Sequence, residues 1–304
     1  MEFKDNAALR KAVVEYNFDN MTANLMTPIG EWNVSEMIDF SHIFRFTDVG
    51  EIDLNEWDVS NAISMAGMFY DAKKFNGTID KWDTAKVITM SSMFYNAEIF
   101  NGDLNGWLVT SVSDFSYMFS NAKVYNGAMD KWTTAAGINF QGMFNGAEEF
   151  QADITRWNTR NAIDLSEMFQ GASMFNLDLS SWNISNVVTM AAMFNEASSF
   201  NMDLSTKWDD VSKIRDMSLM FRETSLDTDY CGWAKQLSND TKVGRMFFGT
   251  GCDMQQDPVD PSYDSKLYGP FCMDCGNVEN AAAGLYNLGP LSMVVGILTY
   301  MFLA

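Results

Sequence analysis

The chain has 304 residues, 47% of them hydrophobic, and a formal charge of −20. That hydrophobic share is too high for a disordered chain. The charge argues against nonspecific nucleic-acid binding and against docking to anionic lipid through a basic patch, while favouring solubility and, weakly, cationic partners.

Residues 1–26 read as an N-terminal cap. Ala8, Leu9, Ala12, Val13 and Tyr16 recur at helical spacing, which predicts a short amphipathic helix from Asp5 to Tyr16 that closes the open edge of the first repeat. The stretch MEFKDNAALRKAV carries acidic residues and no apolar run of the kind a secretory leader needs. Either a further segment precedes it or the protein is intracellular with a C-terminal tail anchor.

Residues 27–256 are dominated by one regularity. Trp32, Trp57, Trp82, Trp107, Trp132, Trp157, Trp182, Trp208 and Trp233 stand 25 residues apart, with a single gap of 26. A fixed period of this length predicts a solenoid of stacked supersecondary units. Two residues after each tryptophan comes a small apolar or β-branched residue (Val34, Val59, Thr84, Val109, Thr134, Thr159, Ile184), an alternation that predicts a short strand with one buried face. Seven residues after it stand Asp39, Ser64, Thr89, Asp114, Asn139, Asp164 and Thr189, all good helix N-caps. The spacing of Val87, Met90, Met93, Phe94, Ala97 and Phe100 then predicts a short helix. The expectation is thus an α/β repeat of about eight 25-residue coils, each a short parallel strand plus a short helix. The Met-Phe pairs and inward alanines (Ala72 to Ala197) read as core, not as a cofactor site.

Two polar columns recur. Asn76, Asn101, Asn126, Gln151, Asn176 and Asn201 follow an inward aromatic and predict a buried amide stack that satisfies turns of adjacent coils. Asp53, Asp103, Asp153, Asp178 and Asp203 form a column broken by Thr78 and Ala128. Its acids suit turn formation and solubility better than a calcium ladder. His42, in a column of variable residues, reads as a surface residue. No phosphate loop, nucleophile elbow, metal-binding histidine pair or singled-out carboxylate pair is present, so the expectation is a protein that is not an enzyme and takes no cofactor and no metal.

The units WNVSEMIDFSHIF, WDVSNAISMAGMF, WDTAKVITMSSMF and WNISNVVTMAAMF, followed by stretches such as YDAKKFNGTID, resemble the repeat of BspA-like leucine-rich-repeat surface proteins from about Thr27 to Phe247. The resemblance implies a right-handed leucine-rich-repeat-like solenoid and a cell-surface or secreted role in adhesion or protein recognition. It implies no catalytic residues. Departures fall at Ser113, Gly137, Gly50 and the insertions near Trp208.

Residues 257–283 read as a cysteine-containing linker and C-cap, and 284–304 as a hydrophobic tail. Cys231, Cys252, Cys272 and Cys275 lie outside the regular coils, where a disulfide staple helps most. Cys231 with Cys252 and Cys272 with Cys275 is the expected pairing, although four cysteines permit three connectivities. These cysteines and the family resemblance favour export, and with it a further segment ahead of Met1, over an intracellular tail-anchored protein. Residues 284–304 (GLYNLGPLSMVVGILTYMFLA), after the small residues from Asn280, read either as a glycolipid (GPI) signal attached at Asn280 or as a transmembrane anchor. Glycosylation sequons stand at Asn20, Asn33, Asn76, Asn183 and Asn239.

Binding is expected on the open strand face, where residues beside the inward tryptophans point out. Along it, acidic first coils give way to basic later ones. The candidates are Asp58, Lys81, Asp83, Lys131, Arg156, Asn158 and Arg160, with Lys131, Arg156 and Arg160 as a local basic patch for an extracellular protein or glycan. The competing reading is a solvated face without a ligand. A structural coat or spacer is the alternative function, and a carbohydrate-active enzyme a weaker third.

Overall fold

The structure is a computed structural model and describes residues 1–19, 27–234, 236–238, 240–253 and 271–272. Among these residues there are two α-helices, α1 (Asn6–Asp19) and α2 (Cys231–Ala234), and one 3-10 turn (Ile29–Glu31). Parallel β pairing occurs only as isolated bridges. The expected α/β repeat, a right-handed leucine-rich-repeat-like solenoid with a strand and a helix in each coil, is therefore corrected: the coils are made of turns.

The reason lies in where the backbone N–H groups go. In the Trp57 coil, Met68 donates to Met65 O at 3.2 Å, Tyr70 to Gly67 O at 3.0 Å and Ala72 to Phe69 O at 3.1 Å. The residues between them donate out of the coil: Met65 to Thr89 O at 3.1 Å, Gly67 to Ser91 O at 2.8 Å, Phe69 to Met93 O at 2.8 Å and Asp71 to Tyr95 O at 2.7 Å. An α-helix would send every N–H back along its own axis. Here alternate groups point at the next coil, because two residues per coil take left-handed backbone: Gly67 and Asp71 (φ 58° and 56°), then Ser92 and Asn96 (55° and 57°), then Tyr117 and Asn121 (54° and 57°). One left-handed residue already ends a helix. At non-glycine positions each costs about 1–2 kcal/mol, which the bonds between coils offset.

The predicted N-caps keep their chemistry and lose their helix. Asp39 Oδ1 accepts the Ser41 N–H at 2.9 Å, Asp114 that of Ser116 at 3.1 Å, and Asp164 that of Ser166 at 2.8 Å, forming Asx turns. The same column carries a single file of parallel bridges from Asp39 to Lys242. Likewise, Ala62 donates to Val59 O at 2.8 Å in a turn where a strand was expected.

Inward residues behave as their spacing predicts. Met90, Met93, Phe94, Ala97 and Phe100 are fully buried. Phe69, Phe94 and Phe119 form a ladder with ring centroids 5.4 Å apart, and within one coil Phe94 stacks on Phe100 at 4.1 Å. The alanines from Ala72 to Ala197 at the turn between the two rings are fully buried, and buried threonines (Thr47, Thr224, Thr250) take that place in the end coils. Each interior tryptophan also ties two coils together: Trp57 Nε1 donates to Ile29 O at 2.8 Å, Trp82 to Leu54 O at 2.8 Å and Trp107 to Ile79 O at 3.0 Å.

The ends are closed differently. At the first coil, Asp5 Oδ1 caps α1 through the Ala8 N–H at 2.8 Å, and Leu9 and Val13 bury against the core while Ala8 stays exposed. Phe3 and Tyr16 pack on Trp32. At the last coil Cys252 is bonded to Cys272, with Cα atoms 4.8 Å apart, which corrects the expected Cys231–Cys252 pairing. Cys231 is also disulfide-bonded. The link brings Phe271 back over Phe247, capping the ring ladder, and sequence separation alone could not reveal this return. Cys275, Asn20, Asn239, Asn280 and the tail 284–304 lie outside the described residues.

Candidate binding face

All seven candidate residues are exposed, but the structure divides them into two roles. Asp58 Oδ1 accepts the Ser60 N–H at 3.0 Å, Asp83 the Ala85 N–H at 3.0 Å, and Asn158 the Arg160 N–H at 3.2 Å. These are Asx turns that shape the coil after its tryptophan. The Ser60 hydroxyl and N–H together hold the Asp58 carboxyl below the ordinary carboxylate range. Lys81 and Lys131 use only their backbone: their N–H groups donate to the side chains of Asn55 and Asn105, both at 3.1 Å.

The cationic heads of Lys131, Arg156 and Arg160 are exposed, and none is in an ion pair among the described residues. Lys131 and Arg156 each precede an inward tryptophan, and the Trp132 and Trp157 rings stack at 5.9 Å, so the two cations stand at equivalent positions on neighbouring coils. Arg160 follows in the next turn of the same coil, closed by Ala162 N–H to Thr159 O at 2.9 Å, while Arg156 lies in the turn closed by Trp157 N–H to Ile154 O at 3.1 Å. Lys131, Arg156 and Arg160 are thus exposed cations on two neighbouring coils, while Asp58, Asp83 and Asn158 also hold turns of the scaffold.

The other polar columns are scaffold as well. Asp53, Asp103, Asp153, Asp178 and Asp203 each accept the N–H two residues on, and the carboxyls of Asp53 and Asp153 are held low chiefly by the hydroxyls of Thr78 and Thr155. The amide column serves its expected bonds, Asn101 N–H to Asn76 Oδ1 at 3.1 Å and Asn126 N–H to Asn101 Oδ1 at 2.9 Å. Its members other than Asn76 are exposed, however, so the expectation of burial is corrected. Asn33 and Asn183 are exposed, each accepting from the serine of its own sequon, while Asn76 is half-buried. His42 is not a free surface residue: its ring packs where a Gly67 side chain would stand, and its Nδ1 is buried with no hydrogen-bond partner among the described residues.

Two hollows coincide with breaks in the repeat. One, of about 410 Å³, lies beside Gly50, which stands where later coils carry an aromatic ring, and Lys74 bridges it to Asp48 at 2.8 Å. The other, of about 350 Å³, is a groove on the tryptophan side lined by Ser181, Asn183, Ser185, Lys207, Asp209 and Asp210. The 26-residue gap before Trp208 was the sequence signal for it. Among the described residues no group of His, Cys, Asp or Glu is arranged to hold a metal ion, and no helix is long and apolar enough to cross a membrane.

Fold and surface together define a repeat protein whose unit is a turn-built 25-residue coil with an aromatic interior and a polar exterior. The chain belongs to the family described as "Mycoplasma protein of unknown function, DUF285", whose model matches residues 12–132, 46–157 and 138–258. No curated protein and no solved structure matches the chain.

Proposed function

We propose that the protein is a non-enzymatic recognition module that binds an extracellular protein or glycan through the tryptophan-side face, with Lys131, Arg156 and Arg160 as its contact. The observation that supports this reading is the set of three exposed, unpaired cations on adjacent coils of a protein whose net charge is −20. A local cationic patch on an acidic body selects acidic partners and repels others. The resemblance of the repeats to BspA-like surface proteins and the disulfide at the last coil support an extracellular setting. Attachment to a membrane through residues 284–304, by glycolipid or by a spanning segment, is part of the same proposal.

The test uses immobilised heparin as a polyanionic glycan. The full chain should be retained at low salt and released as ionic strength rises. Reversing all three charges (Lys131→Glu, Arg156→Glu, Arg160→Glu) should abolish retention and leave the melting temperature within a few degrees, because surface changes of this kind shift stability by about 0.5 kcal/mol or less each. Unchanged retention would sink the reading.

A further inference from the structure

Ile38, Ile63, Ile88, Ile138, Ile163 and Val188 stand in one file on the surface, each 40–62% exposed. Isolated surface hydrophobics are ordinary, whereas a contiguous file needs an explanation. The file is held in register by the backbone: Ile63 N–H donates to Ile38 O at 2.8 Å and Ile88 to Ile63 O at 2.9 Å, with Ser113 to Ile88 O and Ile138 to Ser113 O both at 2.9 Å. Ile163 to Ile138 O at 2.9 Å and Val188 to Ile163 O at 2.8 Å complete it. At about 4.8 Å per coil the stripe is about 29 Å long. Ser113 sits at its centre, with three aliphatic residues on either side.

Charge distinguishes the two ends. Around Ile38 stand Glu36 and Asp39, and Lys4 pairs with Glu36 at 3.2 Å and with Glu2 at 3.5 Å. Beyond Val188 the same file continues as Arg215 and Lys242, beside Lys213 and Asp240, with Asp216 paired to Lys242 at 3.4 Å. One end is net acidic and the other net basic.

We propose that this stripe binds a second copy of the chain, packed antiparallel about a two-fold axis through Ser113. That arrangement sets Ser113 against Ser113 of the partner subunit and Ile88 against the partner's Ile138. It sets Ile38 against the partner's Val188, and it brings each acidic end against a basic end. Parallel packing would place the basic ends together. A two-fold interface uses the same patch twice and must be self-complementary, as this palindromic stripe is. Counting the flanking columns as a width of roughly 16 Å of extended chain, the contact covers on the order of 500 Å² per copy, at the low end for specific interfaces. The dimer should therefore form at micromolar concentration. The stripe includes none of Lys131, Arg156 and Arg160, so this proposal and the binding reading can fail independently.

Cross-linking of the full chain tests the register. Cys231, Cys252 and Cys272 are already disulfide-bonded, so an introduced thiol is a distinct target. With a short bis-maleimide at tens of micromolar protein, Ser113→Cys should give a linked dimer. Ile38→Cys alone should not, but should link when mixed with Val188→Cys. Adding Ile88→Glu to Ser113→Cys should reduce the linked product at least tenfold while the near-ultraviolet circular dichroism stays native. Ile38→Cys linking to itself as readily as Ser113→Cys would overturn the antiparallel arrangement. So would Ser113→Cys remaining monomeric, whether the stripe is bare or covered by another segment of its own chain.

Discussion

The interior coils and the two ends bury the same kinds of residue but satisfy them differently. Trp107 Nε1 donates to Ile79 O in the preceding coil at 3.0 Å, whereas Trp32 has no preceding coil and its buried Nε1 finds no acceptor among the described residues. Trp233, after the insertion, donates to Trp208 O at 3.0 Å and not to the carbonyl three residues earlier that its counterparts use. At that end Tyr230 supplies a hydroxyl that accepts the Leu204 N–H at 3.2 Å, and a disulfide takes over the role of a further coil. The difference shows that the repeat has little meaning coil by coil: a coil is stable because its neighbours complete its hydrogen bonds, and where a neighbour is missing other chemistry must stand in.

The largest break comes from removing an interior anchor. Trp107→Ala should cost about 3–5 kcal/mol, since it empties a buried site and removes the hydrogen bond to the Ile79 carbonyl. Urea unfolding should show the loss. An end should respond more locally: Cys252→Ser should cost about 2–4 kcal/mol, with amide exchange faster from Tyr230 to Cys252 and unchanged near Trp107. Gly142→Val probes the contact between coils, because Gly142 has φ 57° and a side chain there would collide with the Tyr117 ring. A loss of about 1–3 kcal/mol is expected in thermal unfolding, partly recovered by adding Tyr117→Ala.

Acid should act on the turns of all regions alike. The carboxyls of Asp53, Asp58 and Asp153, held low by Thr78, Ser60 and Thr155 respectively, have lower values folded than the ordinary 3.8. Their contribution is complete above about pH 4 and is lost as pH falls through the folded values, which a pH series of melting temperatures will show. The smallest change should be a gain. Tyr125 occupies a column of phenylalanines with its hydroxyl buried and without a partner among the described residues, so Tyr125→Phe should stabilise by about 1 kcal/mol. A loss of stability would mean that the hydroxyl has a partner.

The sequence displayed the period, the inward columns and the turn-capping side chains, because burial and Asx chemistry select residue types. It hid the backbone, because turns three residues apart place Met90, Met93, Phe94 and Ala97 on one side just as a helix would. The left-handed positions gave little warning, being filled by His42, Ser92, Tyr117, Glu167 and Ala192 as well as by glycine. On the candidate face the charges were legible, but not that Asp58, Asp83 and Asn158 are held by their own turns. The isoleucine stripe was missed because an apolar residue a few positions before a core methionine reads as core.

The coils are turns locked to their neighbours and not strand–helix units. Measurement of backbone φ at Ser92 and Asn96 by NMR tests it most directly. Left-handed values near the 55° and 57° of the structure are expected; values near −63°, those of a continuous α-helix, would contradict a turn-built coil.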